Sequence, residues 1–405
     1  MMNIVPEINT SRIAIKLKPT AQKMVKKGHP WIFEDSIVKQ NIEGSTGDLA
    51  IIYDHKKNNI LAIGLYDSQS PIRIKLIHFH KAIQINEKWF IDTIKKACEI
   101  RVPLLKTDTN SYRVIFGEND HLPGFIADVY DNVLVVKLYS HIWFPYFNIL
   151  INTLQKETKC KTIVLRLSRS LQSSKNTYGL YDGQVIYGKL IDEVVVFREH
   201  GVLFSANVIK GHKTGYFLDH RHNRRQVGKL AEGKRILDVF SYAGGFSVHA
   251  LMGGAKEVTS LDISKHALEI AKKNAALNPH TGKHSVIVAD AFEGLQDLNQ
   301  QEKKFDIVVI DPPSFAKREN EINKARNSYA RLARLGAQLV MPNGILVLAS
   351  CSSRVVAEDF FEISEDNISA TGREFRVLQK TYHDIDHPVT FPEGAYLKCG
   401  YYKLD

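Results

Sequence analysis

An α/β fold on a mixed, mostly parallel sheet is predicted for the C-terminal half of the chain, and three observations predict it. The run R-I-L-D-V-F-S-Y-A-G-G-F-S begins at Arg235 with a short apolar strand, Arg235–Ser241. Gly244 and Gly245 then allow a tight turn into a helix starting near Phe246, and Val258–Ile263 is a second strand, ending in Asp262. Strand, glycine turn, helix and acid-terminated strand make a nucleotide-binding βαβ unit. Alternation then continues. Strands end at Asp238–Ser241, Asp262, Asp290, Asp311 and Ser350–Cys351, and helices fill Phe246–Met252, Lys265–Leu277, Ala291–Asp297, Ile322–Val340 and Val355–Asp366. Last, Phe375–Lys380 and Tyr396–Leu404 are strands without a long helix between them. An antiparallel pair closing a parallel sheet makes it mixed, here a Rossmann-like sheet of seven strands.

The 405 residues allow two or three domains, divided here at 1–82, 83–200 and 201–405. In the first, Ala14–Leu17, Leu49–Tyr53, Leu61–Leu65 and Ile72–Ile77 are apolar runs punctuated by Gly44, Gly47, Asn58-Asn59 and Ser68–Pro71, as in a small β-barrel. Lys16, Lys18, Lys23, Lys26 and Lys27 lead into G-H-P-W-I-F (Gly28–Phe33), where core packing claims at least one of Trp31 and Phe33. The second opens with an amphipathic helix over 87–105, whose apolar stripe of Trp89, Phe90, Ile94 and Ala97 includes Cys98, a buried and inert thiol. Strands at Tyr112–Phe116, Gly124–Val129, Val133–Tyr139, Thr162–Leu167, Gln184–Tyr187 and Glu193–Arg198, with a helix over 142–157 interrupted at Pro145, make it a small α+β domain. Arg166, Arg169 and Lys175 read as a solvated edge, with an RNA-facing edge as the alternative.

Lys and Arg number 54 against 44 Asp and Glu, a net charge of +10. A surplus spread over the chain fits a polyanionic partner such as nucleic acid; a basic enzyme without one is the bland alternative. Cys98, Cys160, Cys351 and Cys399 are far apart and form no C-x-x-C pair, which argues against a zinc site or any other metal centre. No disulfide framework is expected either, so the expected compartment is reducing and cytoplasmic. Pro6, Glu7, Arg12 and Lys16 interrupt any signal-peptide core, and the longest uncharged run, Leu138–Gln155, is too polar to span a membrane.

The ligand class follows from the strand ends. Neither G-x-G-x-x-G nor a P-loop is present, and the turn Y-A-G-G-F has aromatic flanks and no lysine. That suits a nucleoside without phosphates. Asp238, Asp262, Asp290 and Asp311 would crowd one sheet edge, where like carboxylates raise each other's pKa unless a cationic or donor-rich ligand relieves them. S-adenosylmethionine, with its sulfonium, ammonium and ribose hydroxyls, fits, and Asp262 is placed to accept from the ribose. Asp219 and Arg221, in T-G-Y-F-L-D-H-R, either bind the amino-acid end of that ligand or form a charged helix start capped by Asp219.

Asp311 opens D-P-P-S-F, a rigid turn whose prolines remove two donors and leave carbonyls free, followed by an aromatic able to stack on a base. Cys351 lies between serines after an apolar run and directly before a predicted helix, whose N-terminus would favour thiolate. Core packing is the reading for Cys160 and Cys399.

G-H-P-W-I-F, P-G-F-I-A-D, T-G-Y-F-L-D-H-R, L-D-V-F-S-Y-A-G-G-F-S, F-D-I-V-V-I-D-P-P-S-F and S-C-S occur in this order and cover nearly the whole chain. The sequence thereby resembles the ribosomal large-subunit RNA cytosine-C5 methyltransferases with an N-terminal PUA domain, G-H-P-W-[VI]-F being the PUA motif. The resemblance implies a PUA domain, a central α+β domain and a class I methyltransferase domain. It also implies that Cys351 is the nucleophile, that Asp262 holds the ribose, and that Asp219, Phe240, Tyr242, Asp290 and Asp311 line the cofactor and base pocket. Phe217, Arg221, Asp238, Ser241, Gly244, Ile263 and Ala291 complete the cofactor candidates. Pro312, Pro313, Phe315 and Lys317, with His29 and Trp31, are the base and RNA candidates. The expected partner is RNA of the 23S type, with a homodimer left open. One departure stands out: D-H-R replaces the family's D-Q-R, leaving His220 without a role.

The expected chemistry is attack of the Cys351 thiolate on carbon 6 of cytosine, which makes carbon 5 nucleophilic. Asp311 is the polar group expected near the ring. A base-amino methyltransferase, which needs no thiol, is the alternative on the strength of D-P-P-S-F. A non-catalytic RNA-binding assembly factor is the third reading.

Overall fold

The computed structural model describes residues 2–54, 58–174 and 176–405. It contains two compact units: Met1–Arg198 with Ser205–Leu218 and Ile385–Phe391, and Glu199–Phe204 with Asp219–Asp384 and Pro392–Asp405.

Two sheets lie wholly within the described residues of the first unit. One has six strands in the order Trp31–Ile32, Ile74–Phe79, Ile60–Tyr66, Leu49–Tyr53, Arg12–Leu17 and Ile37–Gln40. Along Arg12–Leu17 every second side chain is buried, Ile13, Ile15 and Leu17 completely, as one covered face requires. Two of its strands were not anticipated: Trp31–Ile32 is only two residues long, and Ile37–Gln40 has no fully buried side chain to give it a pattern. The lysine-rich stretch is a helix, Pro19–Lys26, with proline in its first turn, where a missing N–H costs nothing.

The other sheet has five strands in the order Gln184–Tyr187, Thr162–Leu167, Val133–Leu138, Phe125–Tyr130 and Ser111–Phe116. Helices Glu87–Leu105 and Phe147–Thr158 pack with it in one core containing Phe90, Ile94, Trp143 and Leu150. Burial pushes the Cys98 thiol up to about 12 and the Cys160 thiol up to about 11. Arg166 corrects the solvated-edge reading: it is buried, with Nε 3.0 Å from Asp182 Oδ1. Lys175 lies outside the described residues. Arg101 pairs with Asp120 through bonds of 2.8 and 2.6 Å, and Arg113 with Asp128 through two of 2.8 Å. Asp386 joins this network, its carbonyl accepting from Arg101 and its carboxylate from the Arg113 backbone N–H.

The second unit is the expected α/β layer structure. Its elements are α1 (Arg221–Leu230), β1 (Arg235–Val239), α2 (Gly245–Met252), β2 (Glu257–Asp262), α3 (Lys265–Ala276), β3 (Lys283–Val288), α4 (Ala291–Gln300), β4 (Phe305–Ile310), α5 (Ile322–Leu339), β5 (Val340–Ser350), α6 (Ala357–Ser369), β6 (Phe375–Thr381) and β7 (Lys398–Leu404). The sheet order is β3-β2-β1-β4-β5-β7-β6, parallel except where β7 pairs antiparallel with both β5 and β6. Leu237, Val239, Leu261, Val308 and Leu346 in the sheet and Leu332, Ala333 and Phe360 in the helices share one core. Each large side chain among them contributes about 1.5–3 kcal/mol by leaving water. The order reverses direction between β1 and β4, which opens a crevice at the carboxyl ends of those strands.

Candidate active site at the carboxyl ends of the parallel strands

Register brings five chain segments to one rim. Val239 pairs with Leu261 and with Ile310, and Ile310 with Leu348, so β2, β1, β4 and β5 end nearly level. Asp262, the turn 240–244, Asp311 and Cys351 are thereby neighbours in that order. Because β7 runs the other way, its first residue is on this rim too: Lys398 pairs with Ser350.

The turn after β1 is strained. Phe240 has φ +62° and Tyr242 φ +47°, left-handed conformations that cost about 1–3 kcal/mol each for residues with side chains. Gly244 has φ +77° and is the N-cap of α2; a Cβ there would stand 2.8 Å from that of Ala271. The turn presents half-buried Phe240 and Tyr242, and among the described residues the buried Ser241 hydroxyl has no hydrogen-bond partner.

The four carboxylates differ. Asp262 accepts from the backbone N–H of Tyr242 (2.9 Å) and of Ser264 (2.8 Å), which ties the turn to β2, and Ile263 beside it is 71 % exposed. Asp290 caps α4, accepting from the N–H of Phe292 and Glu293, and Ala291 is buried behind it. Asp238 is fully enclosed. Its Oδ2 accepts from Ser247 Oγ (2.6 Å) and N–H (3.0 Å), while Oδ1 has no partner. Burial, with a smaller push from the charges of Asp311 and Asp262, raises its pKa to about 7 against the lowering by Ser247. Asp311 lies with Oδ1 3.2 Å from His220 Nε2, close enough to pair but without hydrogen-bond geometry.

Cys351 is half-buried, with Sγ 3.6 Å from the Pro312 carbonyl, so one of the carbonyls freed by D-P-P-S-F points at the thiol. Pro313 is exposed; Phe315 packs edge-on against Tyr329 (5.3 Å between centroids) and near Phe240 and Phe292 (6.4 Å each). Lys317 is exposed, its backbone N–H held by Glu321. The expected helix N-terminus beside Cys351 requires correction: α6 begins only at Ala357. The intervening carbonyls of Ser352 and Val355 accept from the Lys398 ammonium instead, together with that of Tyr396 (3.2 Å). Lys398 is 1 % exposed, and burial lowers its pKa to about 8 against the raising effect of Cys351 and Glu358. No motif marked Lys398; the available signal was a lysine opening an otherwise uncharged strand run, K-C-G-Y-Y.

Asp219 is not the cap of α1, which His220 occupies without a side-chain bond. It is buried and accepts from the Tyr396 hydroxyl at 2.9 Å, while the fully buried Arg221 meets Asp384 at 3.3 Å. His220, which had no role, lies between Asp311 and Asn223, with Nδ1 3.2 Å from Asn223 Nδ2. Three candidates fall in the first unit. Phe217 carries the Lys213 ammonium 4.4 Å over its ring. Trp31 donates to Glu118 (3.0 Å) and packs edge-on against Phe391, as does the buried His29, so core packing takes Trp31 and leaves Phe33 exposed.

Among the described residues no group of three or more His, Cys, Asp or Glu is placed to hold a metal ion, and no helix is long and apolar enough to cross a membrane. Residues 117–395 match the S-adenosylmethionine-dependent methyltransferase family and residues 15–79 a PUA-like domain. A ribosomal RNA large subunit methyltransferase from Deinococcus radiodurans is 42 % identical, with 99 % of each chain covered. Ribosomal RNA large subunit methyltransferase I from Tolumonas auensis is 35 % identical over 95 % of this chain and 97 % of its own. A Streptococcus mutans protein assigned as an S-adenosylmethionine-dependent methyltransferase superposes with TM-score 0.80 at 21 % identity, covering 96 % of this chain and 99 % of its own, a likeness of fold.

Proposed function

This chain belongs to the S-adenosylmethionine-dependent methyltransferase family, and we propose that it methylates large-subunit ribosomal RNA at carbon 5 of a cytosine through a covalent Cys351 adduct. The substrate class rests on the relatives' names and on the PUA-like domain. One observation carries the chemistry: the Cys351 thiol stands half-exposed against the D-P-P-S-F turn, on the strand next to the one ending in Asp311.

The residues present fit the cofactor. Asp238 Oδ1 and the Ser241 hydroxyl are buried polar atoms without partners among the described residues, and exposed Ile263 offers an apolar face next to Asp262. Asp262 would accept from the ribose hydroxyls, Asp238 and Asp219 would attract the ammonium with Arg221 behind them, and Phe240, Tyr242, Gly244, Asp290 and Ala291 would shape the walls. Bound S-adenosylmethionine supplies an electrophilic methyl group.

On the substrate side the cytosine is extruded from its stack and held between the Pro312-Pro313 turn and Phe315, its amine donating to Asp311. The Cys351 thiolate forms a bond to carbon 6, placing electron density on carbon 5. Carbon 5 would then attack the methyl carbon, whose bond to the sulfonium sulfur would break and leave a neutral thioether. A base then removes the carbon 5 proton, the carbon 6–sulfur bond breaks and the thiolate is released. Lys317 and the G-H-P-W-I-F segment, with Phe33 as its exposed aromatic, meet flanking RNA.

Mass spectrometry of rRNA nucleosides with and without the gene tests the product: 5-methylcytosine is lost from the large-subunit RNA in its absence. The second reading, methylation of a base amine, is favoured by D-P-P-S-F alone; retention of activity in Cys351→Ala would establish it.

A further inference from the structure

Resting on the reading of Cys351 as nucleophile, we propose that Lys398 is its positioning residue, clamping the loop behind the sulfur and supplying the positive charge that sustains the thiolate. The clamp is visible in the geometry. An ammonium has three N–H donors, and those of Lys398 are matched by three carbonyls, of Ser352, Val355 and Tyr396. Two of the three belong to the segment that follows Cys351, so the loop carrying the sulfur is fastened to β7.

The charge follows from what is missing around it. The other well-buried lysine among the described residues, Lys75, has Asp67 at 2.7 Å. Among the described residues no carboxylate makes an ion pair with Lys398, although an unpaired buried charge is costly. The acidic groups facing this corner come from each element packed there. Tyr329 on α5 and Cys399 on β7 are held neutral by burial, which raises both far above their ordinary values. Glu358 on α6 is exposed and screened by water, and Asp311 after β4 has His220 beside it. Cys351 interacts favourably with the ammonium and is the one remaining group able to become its counter-ion. Lys398 pairs in register with Ser350, the residue before Cys351, so a thiolate there gives the ammonium its counter-charge in exchange for the weak contact of the thiol with the Pro312 carbonyl, and the protein then holds its nucleophile in the reactive state before RNA arrives. Electrostatic coupling of this kind makes the two groups titrate as a pair.

The test is the pH profile of iodoacetamide alkylation at Cys351, located by peptide mass mapping, in the full-length protein. In the wild type the midpoint should fall below the free-thiol value of about 8.5; a midpoint at or above that value overturns the proposal. In Lys398→Met and Lys398→Gln the midpoint should rise by about one pH unit, with alkylation at neutral pH slowed about tenfold. Retained S-adenosylmethionine binding by calorimetry identifies the folded variants. Gln keeps a donor for the clamp but no charge, so an unshifted profile in a folded Gln variant also overturns the charge role. Wild-type methyl transfer in Cys351→Ala would sink the nucleophile reading alone, leaving the alkylation profiles interpretable.

Discussion

Arg113 and Asp128 in the first unit, and Asp238 and Lys398 in the second, are all buried, yet they are buried differently. Arg113 meets its carboxylate through two parallel bonds, and Asp128 also accepts from Thr214. Arg101 and Asp120 repeat the arrangement, as do Arg224, His249 and Glu199 away from the rim of the second unit. On the rim the pairing fails: Asp238 keeps a bare oxygen, and Lys398 has carbonyls but no carboxylate. Matched buried charges hold a fold in place, whereas buried charges left without partners in the protein store an affinity for something else. Here the two kinds sort by role, since the unmatched ones surround the strained turn and the thiol.

That contrast can be broken experimentally, starting where the effect is largest. Cys351→Ala should lower kcat for 5-methylcytosine formation by on the order of 10⁴-fold or more, as loss of a covalent nucleophile does, with S-adenosylmethionine affinity unchanged. Single-turnover assays and calorimetry read the two separately.

In the matched network, Arg113→Met should destabilise the protein by about 3–5 kcal/mol in urea denaturation, because it strands the Asp128 carboxylate. Its effect on cofactor affinity should be slight.

Asp238→Asn sharpens the comparison through pH. The folded pKa of Asp238 is raised from 3.8 to about 7, so its contribution to stability is complete below pH 3.8 and is lost as pH climbs through about 7. Ligand-free wild type should lose this stability between those values; the Asn variant should not. Cofactor affinity should rise nearly tenfold per pH unit well below 7 and level off above it, because the ionised carboxylate is the form that attracts an ammonium. The Asn variant should show no such rise.

The smallest effect is expected at His220. His220→Gln keeps a polar side chain beside Asp311 and should cost kcat no more than about twofold. His220→Leu replaces the ring 3.2 Å from Asp311 with an apolar side chain and should lower kcat about fivefold. Equal rates for the two variants would remove His220 from the site.

Much of this was legible along the chain. The glycine turn, the acids at four strand ends and the late pair of strands led to the seven-stranded mixed sheet and to S-adenosylmethionine, because each is a local signal: a period, a turn residue or a terminal acid within a few positions. The surroundings of Cys351 were legible only in part. Its place after β5 followed from the apolar run, but the helix expected next to it starts only at Ala357, and the segment in between is held by Lys398 instead. Arg166 went astray for a related reason. A lone arginine in a strand looks like a solvated edge until Asp182, sixteen residues on, folds back to meet it.

The sequence by itself determined which strands and turns form, which of them end in acids, and therefore the fold class and the methyl-donor cofactor. Only the tertiary structure decided which buried charges find partners. It brought His220 beside Asp311, left Asp238 half-satisfied and set the start of an antiparallel strand against the end of a parallel one, so that Lys398 shares a rim with a thiol 47 residues earlier. Periodicity and capping act over a few residues and can be read in order. Burial and electrostatic pairing depend on distance through space, which the order of residues does not contain until the sheet has formed.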